Sequence, residues 1–347
     1  PSRVSFPRGF GPLVERAHAL GVKFGLHLMR GIPRAAVDRN LPIHGSDRHA
    51  ADIADTADTC PWCHYMYGVD TTRPGAQAYY DSVVALLASW GVDFLKVDDV
   101  IHRPREIDAI ARCGRDIVLS LSPGNAMDPA LAPTYRRAAM FRITGDVWDR
   151  RADLDRVFER WERVQDLPLE GLWPDLDMIP FGELMVWNPP GASSASTELA
   201  GQGTRRRDRF TPAQRRAFIT QRALAASPLF MGGELTMTDD EAFRLITHPD
   251  MLACNDNGVV GRLALRRDGV DVWVTPSRGR PDAGWLGVFN RTTEPWSGAL
   301  DLRGVTAFNP AAAVWSIWPA TPLAAPDGRL ALALEPDDVA FLRVGEP

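Results

Sequence analysis

Lys96 and Asp98 stand two residues apart in the stretch Trp90-Gly-Val-Asp-Phe-Leu-Lys-Val-Asp-Asp-Val100. Alternate residues of a strand share a face, so these two lie opposite the apolar Leu95 and Val97. An ammonium beside a carboxylate favours the ionised form, which is the state a nucleophile needs. Lysine occurs elsewhere only at Lys23, among many arginines, so its retention here suggests a need for a compact point charge. A second carboxylate, Asp146, follows the apolar run Met140–Thr144, with Arg142 four residues before it and Trp148 two after. Trp173-Pro-Asp-Leu-Asp177 is a third acidic strand end. In an extended segment its Asp175 and Asp177 share a face, suited to substrate hydroxyls or to a backbone turn. Two carboxylates can divide into nucleophile and general acid. At a sugar carbon a separation of about 5–5.5 Å favours retention and about 6.5–9.5 Å inversion. The acid must hold its proton near neutral pH, which burial or a negative neighbour arranges. The structural alternatives are an ordinary Lys96–Asp98 ion pair and a helix cap at Asp146.

Such groups need rigid elements behind them. Helical periodicity is expected over residues 11–20, 73–90, 103–113, 127–139, 150–165 and 211–226, with a last helical stretch to about Cys254. Between these lie six strands, ending near residues 29, 98, 121, 144, 173 and 231. Residues 30–72 and 180–209 read as loops. Strand and helix in alternation imply a parallel sheet with helical crossovers, and a (β/α)₈ barrel keeps its chemistry at the C-terminal strand ends. A closed barrel needs eight strands, two more than are counted here. From residue 258 the texture changes to short alternating runs separated by Asp-Gly turns. That predicts an antiparallel β-sandwich. The expected division is a barrel over 1–257 and a sandwich over 258–347.

The composition limits the partners. The net charge is −5 and the arginines form no stripe, the one cluster being Arg205–Arg209, so nucleic acid is not expected. No apolar run is long enough for a membrane span. The chain opens on Pro1-Ser-Arg-Val with no Met and no leader, the start expected of a processed or truncated chain; compartment and oligomeric state stay open. Cys60-Pro-Trp-Cys63 lacks the second pair that zinc would need and the context of a redox motif. It reads as a local loop feature or a disulfide. No metal site, P-loop, dinucleotide fingerprint or serine elbow is present.

Taken in order, Lys23-Phe-Gly-Leu-His27, Trp90–Asp98, Ile117-Val-Leu-Ser120, Arg142-x-x-x-Asp146, Trp173-x-Asp-x-Asp177-Met and Ser227-Pro-Leu-Phe-Met231 resemble the α-galactosidase (melibiase) family, glycoside hydrolase family 27. The resemblance runs from about residue 10 to the end. It implies a TIM barrel whose first two strands are missing from this sequence, a C-terminal antiparallel domain and no cofactor. It also implies a retaining exo-α-glycosidase acting on terminal α-galactosides of oligosaccharides or simple glycosides. It makes Asp98 the nucleophile and Asp146 the general acid/base, with Lys96, Arg142 and Asp177 on sugar hydroxyls. His27 falls where relatives place a pocket tyrosine, and Trp62 and Cys63 fall near a loop cysteine bordering the sugar. Ser122 and Asn125 stand where galactose-specific relatives have glutamate and leucine. A small residue at the first of these positions is what the α-N-acetylgalactosaminidase branch uses. The alternatives are an α-N-acetylgalactosaminide, a β-L-arabinopyranoside or an isomaltose-type glucoside as substrate, or a catalytically incomplete carbohydrate-binding protein.

Overall fold

A glycine stop after a helix, followed by an apolar strand, is the local rule of the first part of the chain. Helix α1 (Gly11–Ala19) has Pro12 in its first turn, where a missing N–H costs nothing. Strand β1 (Gly25–Met29) follows. Three short strands come next, β2 (Ile32–Pro33), β3 (Ala54–Cys60) and β4 (Cys63–Val69), then α2 (Ala76–Ser89) and β5 (Phe94–Asp98). Gly91, between α2 and β5, has φ +81°, and a Cβ there would meet Val14 at 2.8 Å. Both the turn and the packing of α1 beside it therefore require glycine. Helix α3 (Glu106–Arg112), β6 (Val118–Ser122) and β7 (Met140–Arg142) complete this part.

The computed structural model describes residues 4–60, 63–100, 105–185 and 205–346. The chain divides into two compact units, Pro1–Arg142 and Ile143–Pro347. In the first, β1, β5, β6 and β7 form a parallel sheet in that order. Leu95 and Val97 are fully buried while Lys96 and Asp98 are half-buried, the alternation expected of β5. Residues 30–72, expected to be a loop, instead hold the antiparallel sheet β2-β4-β3. Its own small core is Ile32, Ile43, Ile53 and their neighbours. The small and polar residues of β3 (Ala-Asp-Thr-Ala-Asp-Thr-Cys) conceal the strand pattern. The helix expected over 127–139 is only a 3₁₀ turn, Pro129–Leu131, and one α-turn, Ala132–Tyr135; Pro129 and Pro133 interrupt it.

The second unit opens with the loop that carries Asp146, then α4 (Arg151–Val164) and β8 (Trp173–Asp175). The described ends of the expected 180–209 loop pair as antiparallel strands β9 (Glu183–Met185) and β10 (Arg205–Arg207). Helix α5 (Pro212–Leu224) starts with a capping box between Thr211 and Gln214. The strand expected at Leu229–Met231 is reduced to a single parallel bridge from Met231 to Ile179. Helices α6 (Asp240–Ile246) and α7 (Pro249–Asp256) follow.

The rest is antiparallel sheet. Strands β11 (Arg262–Arg267), β12 (Val270–Pro276), β13 (Gly284–Asn290), β15 (Val314–Ser316), β16 (Thr321–Leu323) and β18 (Val339–Val344) form a sheet in the order β11-β12-β13-β18-β15-β16. Strands β14 (Trp296–Asp301) and β17 (Arg329–Leu334) pair separately. Val272, Leu286, Leu300, Leu330 and Leu342 from both sheets share one core. Trp161 of α4 stacks on Trp273 of β12 with ring centroids 3.7 Å apart, which ties the helical part of this unit to its sheet. Among the described residues no helix is long and apolar enough to cross a membrane.

Candidate functional site

Asp98 ends β5, and the parallel register places Met29 of β1 on one side of it and Ser122 of β6 on the other. His27 Nε2 lies 3.3 Å from Asp98 Oδ2. Burial opposes ionisation of Asp98. The His27 contact and the charges of Lys96 and Arg142 outweigh it and hold the carboxyl well below the usual carboxylate range. The Ser122 hydroxyl pulls in the same direction, although its buried Oγ makes no full hydrogen bond. The first unit thus gathers five predicted residues, His27, Lys96, Asp98, Ser122 and Arg142, about one ionised carboxylate. Asn125, the other position tied to sugar choice, is exposed in the 3₁₀ turn after β6.

The strand end is further fixed by a group the sequence reading did not single out. The Arg30 backbone N–H donates to the Asp98 carbonyl at 3.0 Å. The Arg30 side chain donates to Asp99 at 3.0 Å and in a fork to Asp58 at 2.5 and 2.8 Å. Asp99 has φ +60°, a left-handed conformation this bridge helps to hold. At Gly68 of β4 a Cβ would meet Asp58 Oδ2 at 2.2 Å, so glycine there leaves room for the acceptor. Trp62 lies outside the described residues. Cys60 and Cys63 face each other across the β3–β4 hairpin as buried thiols packed with Met66 and Met29; no disulfide joins them.

In the second unit Asp146 is exposed. The loop around it is heavily pinned. Its carbonyl accepts from Arg156 Nη2 at 2.9 Å. The next amide, Val147 N–H, donates to Asp177 Oδ2 at 2.8 Å, and Trp148 N–H donates to Asp153 Oδ2 at 3.1 Å. Asp153 is wholly buried and paired with Arg150 and Arg156. Asp149 takes a fork from Arg206 at 2.5 and 2.8 Å and the Arg209 amide at 2.8 Å. Burial opposes the Asp149 charge, but Arg206 outweighs it and lowers its pKa. Asp175 and Asp177 both bind backbone, one of the two uses expected of them: Asp175 Oδ1 accepts from Asp177 N–H at 2.7 Å. Asp149 and Asp153 were not anticipated. The density of Asp and Arg in Asp146–Arg156 was their only signal.

Among the described residues no three His, Cys, Asp or Glu side chains are grouped to hold a metal ion.

Known proteins place these features in context. No family model matches the chain. The solved structure of a GH27 β-L-arabinopyranosidase from Geobacillus stearothermophilus is 36% identical, covers 100% of this chain and 80% of its own, and superposes with a TM-score of 0.90. A variant of that enzyme solved in complex with arabinose is likewise 36% identical, with a TM-score of 0.89. Among curated proteins, α-galactosidase 2 of Arabidopsis thaliana is 24% identical over 284 residues, 78% of this chain and 56% of that protein. α-Galactosidase A of Homo sapiens is 26% identical over 297 residues, 79% of this chain and 54% of that protein. The chain spans about half the length of the curated relatives it matches.

Proposed function

The chain belongs to glycoside hydrolase family 27, and from that premise we propose that it is a retaining exo-glycosidase releasing terminal α-galactosyl residues. The observation that carries the reading is the ionised Asp98, set at the end of a parallel strand among His27, Lys96, Ser122 and Arg142. A nucleophile must be deprotonated before substrate arrives, and this cluster is built for that state. Asp98 attacks the anomeric carbon, and the glycosidic C–O bond breaks as Asp146 gives its proton to the leaving oxygen. The product is a glycosyl-aspartate ester. Asp146, now ionised, takes a proton from water. The water oxygen displaces Asp98 from the anomeric carbon, and the configuration is retained after two inversions.

In this reading Lys96, Arg142 and Asp177 also meet sugar hydroxyls, and His27 and Trp62 line the sugar. Residues 1–257 would supply six strands of a (β/α)₈ barrel, and residues 258–347 a β-sandwich. A second reading has a specific support. The 36%-identical relative is named a β-L-arabinopyranosidase, and β-L-arabinopyranose is galactose without its hydroxymethyl group.

The test is hydrolysis of a panel of aryl glycosides by the parent chain, Asp98→Asn and Asp146→Asn. Cleavage of the α-galactoside, with losses of several orders of magnitude in both variants, is the expected result. Preference for the β-L-arabinopyranoside would install the second reading. Full rates in either variant would overturn the two-carboxylate assignment, and an inert parent that still binds sugar would make it a binding protein.

A further inference from the structure

Arg222 sits wholly buried in α5 and forms none of the salt bridges found among the described residues. Its Nη2 points at three successive carbonyls, Leu176 at 2.9 Å, Met178 at 3.2 Å and Asp177 at 3.4 Å. Nη1 donates to the Phe218 carbonyl at 3.3 Å, and the guanidinium lies 3.4 Å over the Phe218 ring. Burial pushes its pKa down, to about 9, against the raising pull of Asp177 and Asp175; at neutral pH it remains a cation. A buried cation is costly unless its surroundings satisfy it, and here they are mostly the carbonyls of one turn.

That turn has a particular task. It holds Asp177 at φ +71°, a left-handed conformation that costs a non-glycine residue roughly 1–2 kcal/mol. The same turn is pinned by Ser227, whose Oγ accepts from Leu176 N–H at 3.0 Å. In this conformation the Asp177 carboxylate reaches the Val147 amide, the residue after Asp146. The contacts run unbroken from Arg222 through the 176–178 turn and the Asp177 carboxylate to the backbone that carries Asp146.

We propose that Arg222 is a positioning residue for Asp146, fixing the turn from which Asp177 clamps the Asp146–Val147 backbone. The proposal rests on Asp146 being the general acid/base. It predicts a defect confined to proton donation. Aryl glycosides separate that defect from general damage, because a phenolate leaving group needs protonation and a 2,4-dinitrophenolate hardly does.

The experiment compares kcat/KM for the phenyl and 2,4-dinitrophenyl glycosides of whichever sugar the parent cleaves. It uses Arg222→Met, Arg222→Lys, Asp177→Asn and, as reference, Asp146→Asn. Arg222→Met should lose about tenfold or more on the phenyl substrate beyond its loss on the dinitrophenyl one. Arg222→Lys should fall between it and the parent. Asp177→Asn, which keeps the volume but weakens the acceptor, should lose on both substrates through its sugar contact and lose further on the phenyl one. Equal losses on both substrates, or none, would overturn the proposal. If Arg222→Met does not fold, Arg222→Lys decides it on the same criterion. If Asp146→Asn discriminates between the substrates while the Arg222 variants do not, positioning alone falls. If Asp146→Asn treats the two alike, the acid/base reading falls and the positioning proposal with it.

Discussion

His27 Nε2 lies 3.3 Å from Asp98 Oδ2 although the β1–β5 register pairs His27 with Lys96. The contact therefore runs diagonally along one face of the sheet, and it is the largest of the interactions that keep Asp98 ionised against burial. His27→Phe removes it and keeps a ring. The Asp98 pKa should then rise toward the ordinary carboxylate value of about 3.9. The acid limb of the kcat/KM profile should move to higher pH, and because His27 also lines the sugar in the proposed site, the plateau rate near neutrality should fall as well. A pH–rate profile with an unmoved acid limb would show that Lys96 and Arg142 suffice.

At the opposite end of the same strand, Asp93 is an anchor. It accepts from Arg115 at 2.6 Å, His18 at 2.7 Å and the Phe24 amide at 2.9 Å. Burial opposes its charge, and these partners lower its pKa far below the ordinary range. Asp93→Ala leaves the Phe24 amide without its acceptor and Arg115 with only the Gly91 and Val92 carbonyls, and should cost about 2 kcal/mol in denaturant unfolding. The sign of the pH effect follows from the depressed native pKa. The contribution is complete above the unfolded value of about 3.9 and is lost as pH falls below it. Stability of the parent should therefore drop below pH 4, and the difference between parent and variant should shrink there. A difference that persists unchanged at pH 2 would contradict the assignment.

None of the four cysteines is in a disulfide, and Cys60, Cys63 and Cys254 are buried. Burial also pushes the Cys254 thiol well up, which further suppresses the reactive thiolate. A thiol reagent should label the native protein slowly and count four thiols once it is unfolded without reductant. A count of two would mean a disulfide, with Cys60 and Cys63 the pair that the hairpin places opposite each other.

The chemistry-bearing strand was legible in the sequence because its period was unambiguous. Leu95 and Val97 on one face and Lys96 and Asp98 on the other could belong only to a half-buried strand. His27, Ser122 and Arg142 meet Asp98 because neighbouring parallel strands end level with it, which the βα alternation implied. What stayed hidden depended on distant contacts. The β3 strand is stabilised by its partner β4 rather than by apolar residues of its own. Asp177 read as a ligand either for hydroxyls or for a backbone turn, and only the fold shows its carboxylate reaching the Val147 amide thirty residues away. Arg222 did leave a trace, as a lone cation in the run Phe218-Ile-Thr-Gln-Arg-Ala-Leu-Ala-Ala226. Three of its four carbonyl partners lie more than forty residues away, beyond any local pattern.

The change of texture at residue 258 marks where the antiparallel sheet begins, and it raises the question of whether that sheet unfolds by itself. Trp161 and Trp273 argue against independence. Both are fully buried, their rings stack at 3.7 Å, and Trp161 Nε1 donates to the Gly261 carbonyl at 3.0 Å. Phe158 of the same helix packs edge-on against Phe289 of β13 at 4.9 Å. Trp273→Ala deletes the central ring of this contact and should cost about 3–5 kcal/mol. Far-ultraviolet circular dichroism reads the helices, and the fluorescence of the remaining tryptophans reads packing around the sheet. If α4 and the sheet share one cooperative unit, the substitution should lower both urea midpoints together. A fluorescence midpoint that falls while the helical signal stays in place would instead make residues 258–347 a separate folding domain.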